Sequence, residues 1–285
     1  MSRALPVATV IAAIIVIWYL GAVWMNAQWE RDQAERAGVE ITLAEIIPKT
    51  MAQERPVLPA PHQVAVELWD TVAAKPVTSK RSLVWHGWIT LSATLLGFAF
   101  GTALGVILAI GIVASRTMDI SVMPWVIASQ MVPILAIAPM MIVVLNAADV
   151  GGLVAKAMIS MYLSFFPVVV GMVKGLRSPD ALQLDLMRTY SANGAQTFLK
   201  LRLPASLPYL FTSMKVGVAA SLVGAIVAEM TLSQDGGLGS RLLNGSYYGQ
   251  TMMIWAALIA SAVLAGGLIP LIGAAQRLAM RGRPT

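Results

Sequence analysis

Few residues in this chain have the means to do chemistry. Glu229 stands alone in the apolar run GAIVAEMTL. An ionisable group inside a span marks a functional site by default, and a lone carboxylate there suits a position on a path or gate. A structural ion pair or an interfacial position competes with that reading, because Gln234-Asp235 follow within about a turn. Lys215, near the start of the same run, is expected to snorkel to the interface. His62 and His86 are far apart, lack metal-ligand spacing and read as ordinary polar residues near a membrane surface. With no cysteine there is no thiolate nucleophile, disulfide or cysteine metal site. No G-x-x-x-x-G-K-[ST] phosphate loop occurs, nor any recurring set of paired carboxylates or activated serine. No enzymatic activity and no directly bound cofactor are therefore expected.

The other polar concentration is the stretch 178–208, SPDALQLDLMRTYSANGAQTFLKLRLPASLP, a return to water between two apolar runs. Ser178 is placed to cap a helix that starts at Pro179, with Asp180 at its positive end. Such a helix sets Leu182, Leu186 and Thr189 on one side, with Leu184, Met187 and Tyr190 beside them. Ser191-Ala192-Asn193-Gly194 is turn chemistry, and Asn193-Gly194 can supply a left-handed residue. A second short helix over 195–201 is expected to end at Pro204 and Pro208. The product is a helix-turn-helix elbow, basic at Arg188, Lys200 and Arg202. Clamped between spans, it is badly placed to enter a DNA groove, and no nucleic-acid partner is expected.

Composition puts these residues in lipid. Of 285 residues, 58% are hydrophobic and 12% charged, about half the charge of a soluble protein. The length suits about six spans. The run 5–25 lies between Arg3 and the interfacial Trp24 and Trp29, and is too long for a signal peptide's apolar region. We read 1–25 as an uncleaved first span. Residues 26–85 form a polar, proline-rich loop with one short amphipathic helix over 61–73 (Val64, Val66, Leu68, Trp69, Val72) packed against the spans. Residues 86–280 hold five further helices at 87–113, 122–146, 153–173, 209–232 and 252–275. Gly97, Gly101 and Gly105 strip one face to backbone for a close neighbour, within the subunit rather than across a dimer seam. Pro133 and Pro139 interrupt the third span near Gln130, which points to a bend beside a passage, or to a purely structural kink.

Charge sets the orientation. Arg3, Arg116, Lys174, Arg177, Arg188, Lys200, Arg202, Arg277, Arg281 and Arg283 fall on one side, against Asp119, Asp180 and Asp185. The other side carries eight basic and ten acidic residues, so the positive-inside rule puts both termini and the elbow in the cytoplasm.

The elbow resembles the coupling loop of ABC-importer permeases, whose pattern is E-A-A, three residues, G, nine residues, I-x-L-P. Setting Leu203-Pro204 on L-P places Leu201 at the isoleucine, Asp185-Leu186-Met187 at E-A-A and Ser191 at the glycine; the alanines and the glycine differ. The resemblance extends over roughly residues 58–280, through LPAPHQVAVELW, SQMVPILAIAPMMIVVL, SFFPVVVGMVKGLRSPD, LMRTY, KLRLPASLPYLFTSMKVG and GAIVAEM followed by GGLG. It is similar to permeases of nitrate-, taurine-, sulfonate- and pyrimidine-type importers. The resemblance implies an all-α type I permease of the bacterial cytoplasmic membrane, with a cytoplasmic coupling helix. A second permease copy (expected as a homodimer), a cytoplasmic ATPase dimer holding ATP and Mg, and an extracytoplasmic solute-binding protein complete the machine it implies. Leu182, Leu186, Met187 and Tyr190 would fill the ATPase groove, with Asp185 and Arg188 at its rim. From the residues themselves, apart from the resemblance, we place Gln130, Pro133 and Glu229 along the solute passage. A passive channel or ion-coupled carrier is the alternative, but a carrier would show several intramembrane charges or inverted repeats.

Overall fold

Among the described residues, 4–281 of the computed structural model, every regular element is a helix. Arg3 and Arg283 of the charge asymmetry lie outside them. Five helices are long and apolar enough to span a bilayer: Leu5–Arg36, Leu83–Ala114, Gly152–Leu176, Gly194–Thr231 and Thr251–Ala279. A sixth crossing is available if a bent pair, Arg116–Ser129 with Ile134–Ala147, counts as one span. Labelled in chain order, the helices are α1 (Ala4–Arg36), α2 (Leu43–Ala52), α3 (Pro61–Trp69), α4 (Leu83–Ala114), α5 (Arg116–Ser129) and α6 (Ile134–Ala147). After them come α7 (Gly152–Leu176), α8 (Ala181–Thr189), α9 (Gly194–Thr197), α10 (Leu203–Thr231), α11 (Leu238–Tyr247) and α12 (Thr251–Ala279).

Two expectations need correction. The run 122–146 is not a continuous helix; the expected bend is a full break, with α5 and α6 meeting at 103° across four residues. Pro133 caps α6 in extended conformation; its ring has no N–H to carry α5 onward. α1 does not end at Met25 either. Its continuation, NAQWERDQAER, is built from strong helix formers, and Gln28 donates to Asp32 one turn on at 2.8 Å.

The chain divides into two compact units, one of residues up to His86 with Arg241–Ala260, the other of Gly87–Ser240 with Ser261 onward. In the first, α1 anchors the proline-rich loop. Asn26 is fully buried; its amide donates to Leu58 O at 2.8 Å and accepts from Val57 N at 2.8 Å. Trp18 donates to Pro59 O at 2.9 Å, and Thr251 to Pro56 O at 2.6 Å. The backbone of a segment poor in secondary structure is thereby satisfied. α2, unforeseen as a helix, starts at Thr42, whose N–H reaches the Glu45 carboxylate at 3.4 Å. α3 faces inward through Val64, while Val66 and Trp69 stay exposed, as does Val72 just beyond it. The histidines are structural: His62 stacks on Tyr19 at 5.9 Å, and His86 meets Lys80 O at 3.0 Å.

The second unit is built on α4, α7 and α10. The glycine-stripped face of α4 lies on α7, as the spacing suggested: a Cβ at Gly97, Gly101 or Gly105 would run into Ser160, Ser164 or Val168. α10 closes on α7 in the same manner, with Gly171 against Ser213 and Gly224 against Ser160. Lipid tails are as apolar as leucine, so such close approach supplies association that hydrophobicity cannot. An apolar cluster including Ala109, Ile112, Phe165, Met172 and Leu176 fills one end of this unit. α5 is held to α7 at both ends, by the Arg177–Asp119 ion pair at 2.8 Å and by the Tyr162 hydroxyl on Ser129 O.

Gly101→Leu is expected to destabilise the detergent-purified protein by about 1–3 kcal/mol through overpacking. Gly266→Leu, at a glycine with no neighbour within 4 Å, should stay within about 0.5 kcal/mol of wild type. Thermal unfolding of both variants measures the difference.

Candidate functional site

Two places bring the sequence-marked residues into defined geometry. One is the elbow. α7 stops at Leu176, and Ser178 does not cap the next helix: its hydroxyl turns back to Gly175 O at 2.7 Å. The cap is Asp180, which accepts from Gln183 N at 2.7 Å while Gln183 accepts from Asp180 N at 3.2 Å. This reciprocal pair satisfies two donors of the first turn, and the carboxylate meets the positive end of the helix dipole.

The turn after α8 is also specific. Ser191 N–H donates to Arg188 O at 2.8 Å and Ala192 N–H to Met187 O at 3.0 Å, the bonding of a Schellman motif. Its left-handed residue is Ser191, at φ 52, and not the Asn193-Gly194 pair. That position is where the coupling-loop pattern has glycine. Asn193 opens the next helix instead, accepting from Gln196 N at 2.8 Å. Pro204 and Pro208 do not end it. α9 runs through a widened π turn, Phe198–Arg202, into α10 as one helical rod, Gly194–Thr231. The wide turn lets the rod take in a residue with no N–H. Phe198 and Leu203 pack on the apolar cluster that includes Met172 and Leu176, so the return arm is fixed to α7.

What the elbow presents is apolar. Leu182, Leu186 and Tyr190, four residues apart on one helix face, are 79%, 56% and 77% exposed, and no residue of α8 is buried. Met187 is half-buried. Asp185 and Arg188 pair with each other at 2.9 Å. Leu201, Leu203 and Pro204 are half-buried in the return arm.

The second place surrounds Glu229, which is fully buried. Its Oε2 accepts from Thr90 Oγ1 at 2.9 Å and from Gly239 N at 2.9 Å. Thr90 in turn accepts from Leu238 N at 2.9 Å. Thr94 donates to Thr90 O, Ser221 to Thr94 O, and Ser160 toward Ser221, each at 2.6–2.8 Å. A buried polar line therefore runs through α4, α10 and α7. Lys156 completes it, a residue that the sequence reading missed. It is 2% exposed, donates to Gly236 O at 3.2 Å and stands 3.9 Å from Asp235. Its signal in the sequence is the one that marked Glu229, a single charge in an apolar run. Gly237, at φ +115, lies so near that a Cβ would enter the Glu229 carboxylate, and one on Gly239 would meet Ile226 O.

Of the three pathway candidates, Gln130 and Pro133 sit on the exposed break between α5 and α6. Glu229 is sealed and faces no opening in this structure. Lys215 is bound rather than free, donating to Gln276 at 2.7 Å. Among the described residues no His, Cys, Asp or Glu cluster could hold a metal ion.

Ser191→Gly should stabilise the protein by up to about 1 kcal/mol by removing a strained left-handed residue. Gly237→Ala should cost roughly 2–4 kcal/mol, from its backbone conformation and the collision with Glu229. Chemical or thermal unfolding in detergent tests both signs.

The comparisons accord with this architecture. Residues 101–281 match the model of the family described as binding-protein-dependent transport system inner membrane component. A probable ABC transporter permease of Haemophilus influenzae is 29% identical over 204 residues, 71% of this chain and 78% of its own. The riboflavin transport system permease RibX of Chloroflexus aurantiacus is 29% identical over 226 residues, covering 79% and 80%. The formylaminopyrimidine transport permease ThiX of Halalkalibacterium halodurans is 28% identical over 196 residues, covering 69% and 71%. With a match over more than half its length and a multi-pass all-α fold, the chain belongs to the inner membrane permease family of binding-protein-dependent ABC transporters.

Proposed function

We propose that this permease is the membrane half of an ATP-driven importer and that the elbow is where it takes up mechanical work. The observation that carries this is the exposed stripe of Leu182, Leu186 and Tyr190 on a helix capped at both ends. Exposed apolar side chains at one helical spacing fit a groove in a soluble partner. Asp185 and Arg188, now paired with each other, become the polar rim of that contact. The partner is a cytoplasmic ATPase dimer that holds ATP and Mg, and the elbow and both termini lie in the cytoplasm.

The rod Gly194–Thr231 supports the mechanical part. A helix that continues from the elbow into the membrane transmits displacement without a hinge, and rigid-body rocking of spans is an established way to alternate access. Two copies of the chain frame the passage, with the exposed break at Gln130 and Pro133 beside it. Glu229 acts from behind, holding α10 and the α11 start in register. A binding protein delivers the solute from outside. Two of the relatives are named as riboflavin and formylaminopyrimidine transport permeases, which supports a small organic solute, including ring nitrogen compounds.

Asp185→Lys, or deletion of residues 192–195, should abolish ATP-dependent uptake in whole cells, with membrane levels of the chain unchanged. Leu186→Asp should also release the ATPase subunits during co-purification. Normal uptake by all three variants would end the coupling assignment.

A further inference from the structure

The first compact unit contains a cavity of about 430 Å³ that no part of the coupling reading uses. Six charged side chains line it: Arg55, Lys75, Arg81 and Arg241, with Glu54 and Glu67. Among the described residues none of the six is in an ion pair within 4.0 Å. Glu54, Arg55 and Arg81 reach solvent, while Glu67, Lys75 and Arg241 are half-buried, where an unpaired charge is costly. Here four basic groups face the same space against two acidic ones, an excess of two positive charges.

Arg241 is the most constrained of them. Its Nη1 contacts Met253 Sδ at 3.1 Å and its Nη2 donates to Lys80 O at 3.2 Å. These contacts fix the plane of the guanidinium and leave a second N–H on each Nη, while Nε is buried with no hydrogen-bond partner. Burial lowers the Arg241 pKa and the charge of Glu67 raises it; a guanidinium stays protonated regardless. Arg241 lines the cavity, and a fixed, charged fork with Nη hydrogens to spare is what a carboxylate or sulfonate oxygen requires. Met252, Met253 and Ala256 add an apolar wall. The size lies within the usual ~300–1,000 Å³ of small-molecule sites.

We propose that this cavity binds a small organic anion, with Arg241 as its oriented partner and Arg55, Lys75 and Arg81 supplying the attracting field. Glu67 supports Arg241 electrostatically, and the methionine wall takes the carbon skeleton. The site lies in the loop after the first span and the one before the last, which the proposed topology places outside. Binding itself rests on neither the topology nor the ATPase.

The test uses the full chain, purified in detergent, with benzoate as the probe and calorimetry as the readout. Saturable binding of one benzoate per chain is expected, with no binding of benzamide, its neutral counterpart. Arg241→Gln should weaken binding about tenfold, the loss of one charge-assisted contact. Because Arg241 also holds the Lys80 carbonyl, Arg81→Gln at an exposed position provides the second variant, expected to weaken binding several-fold. Absence of saturable binding up to ~10 mM, equal affinity for benzamide, or wild-type affinity in both variants would overturn the proposal. ATPase coupling, read by uptake in elbow variants, stands or falls separately.

Discussion

In hydrocarbon, two apolar helices gain nothing by leaving lipid for each other, so association depends on how closely their backbones can approach. That constraint organises the second unit. α4 meets α7 along Gly97, Gly101 and Gly105, and α10 meets α7 along Gly171 and Gly224. At those separations there is no room for side chains between the helices, only for hydroxyls that bond to backbone. Ser160, Ser221, Thr94 and Thr90 take that role, each fully buried. Their line ends at Glu229, whose burial would be prohibitive without Thr90 and the Gly239 N–H. The glycines at 237 and 239 follow from the same demand, because a donor N–H can reach a buried carboxylate only where no Cβ stands between them.

The elbow depends on that packing for its stiffness. Phe198 and Leu203 lie against the apolar cluster at one end of α7, so the return arm is part of the helix core although the segment before it is solvated. Two devices keep the exposed part short and defined. Asp180 and Gln183 close the start of α8, and the Ser191 turn closes its end. A nine-residue helix would be marginal on its own in water. Capped at both ends and joined to packed helices, it can hold three large apolar side chains in solvent at a fixed spacing.

Much of this was legible in the chain because it is written locally. Apolar runs gave the spans, four-residue glycine spacing gave the α4 face, and serine, proline and aspartate after the α7 run gave the elbow's start. Local patterns also misled. Ser178 and Asp180 are both capping residues, and the choice fell to Asp180 because Gln183 can reciprocate. Pro204 and Pro208 are helix breakers by composition, yet a single π turn and packing on α7 carry the helix through. The bend at Pro133 was legible from the proline, but not the contacts that hold α5 beside it: Arg177 on Asp119 and Tyr162 on Ser129 O, each over thirty residues from its partner in sequence. Lys156 had the same local signal as Glu229. Its role depends on Asp235 and Gly236, about eighty residues further on, and no window along the chain contains both.

The contrast between the two intramembrane features bears on how a permease of this kind can move. The proposed passage needs lining residues with freedom, and the break at Gln130 and Pro133 has it: both are exposed, and the Gln130 amide reaches only the adjacent Ser129 at 3.4 Å. Glu229 has none, with its carboxylate held by donors from α4 and the α11 start. The lever proposed at the elbow would deliver displacement to that break only if the body it turns does not itself deform. The buried charge therefore belongs in the body, where loss of any one partner would leave an uncompensated group. The bend lies at the surface, and α5 is held to α7 by one half-exposed ion pair, Arg177–Asp119, worth about 0–1 kcal/mol, by one hydroxyl contact, and by Val126, buried in the apolar cluster with Val122 and Met123 beside it.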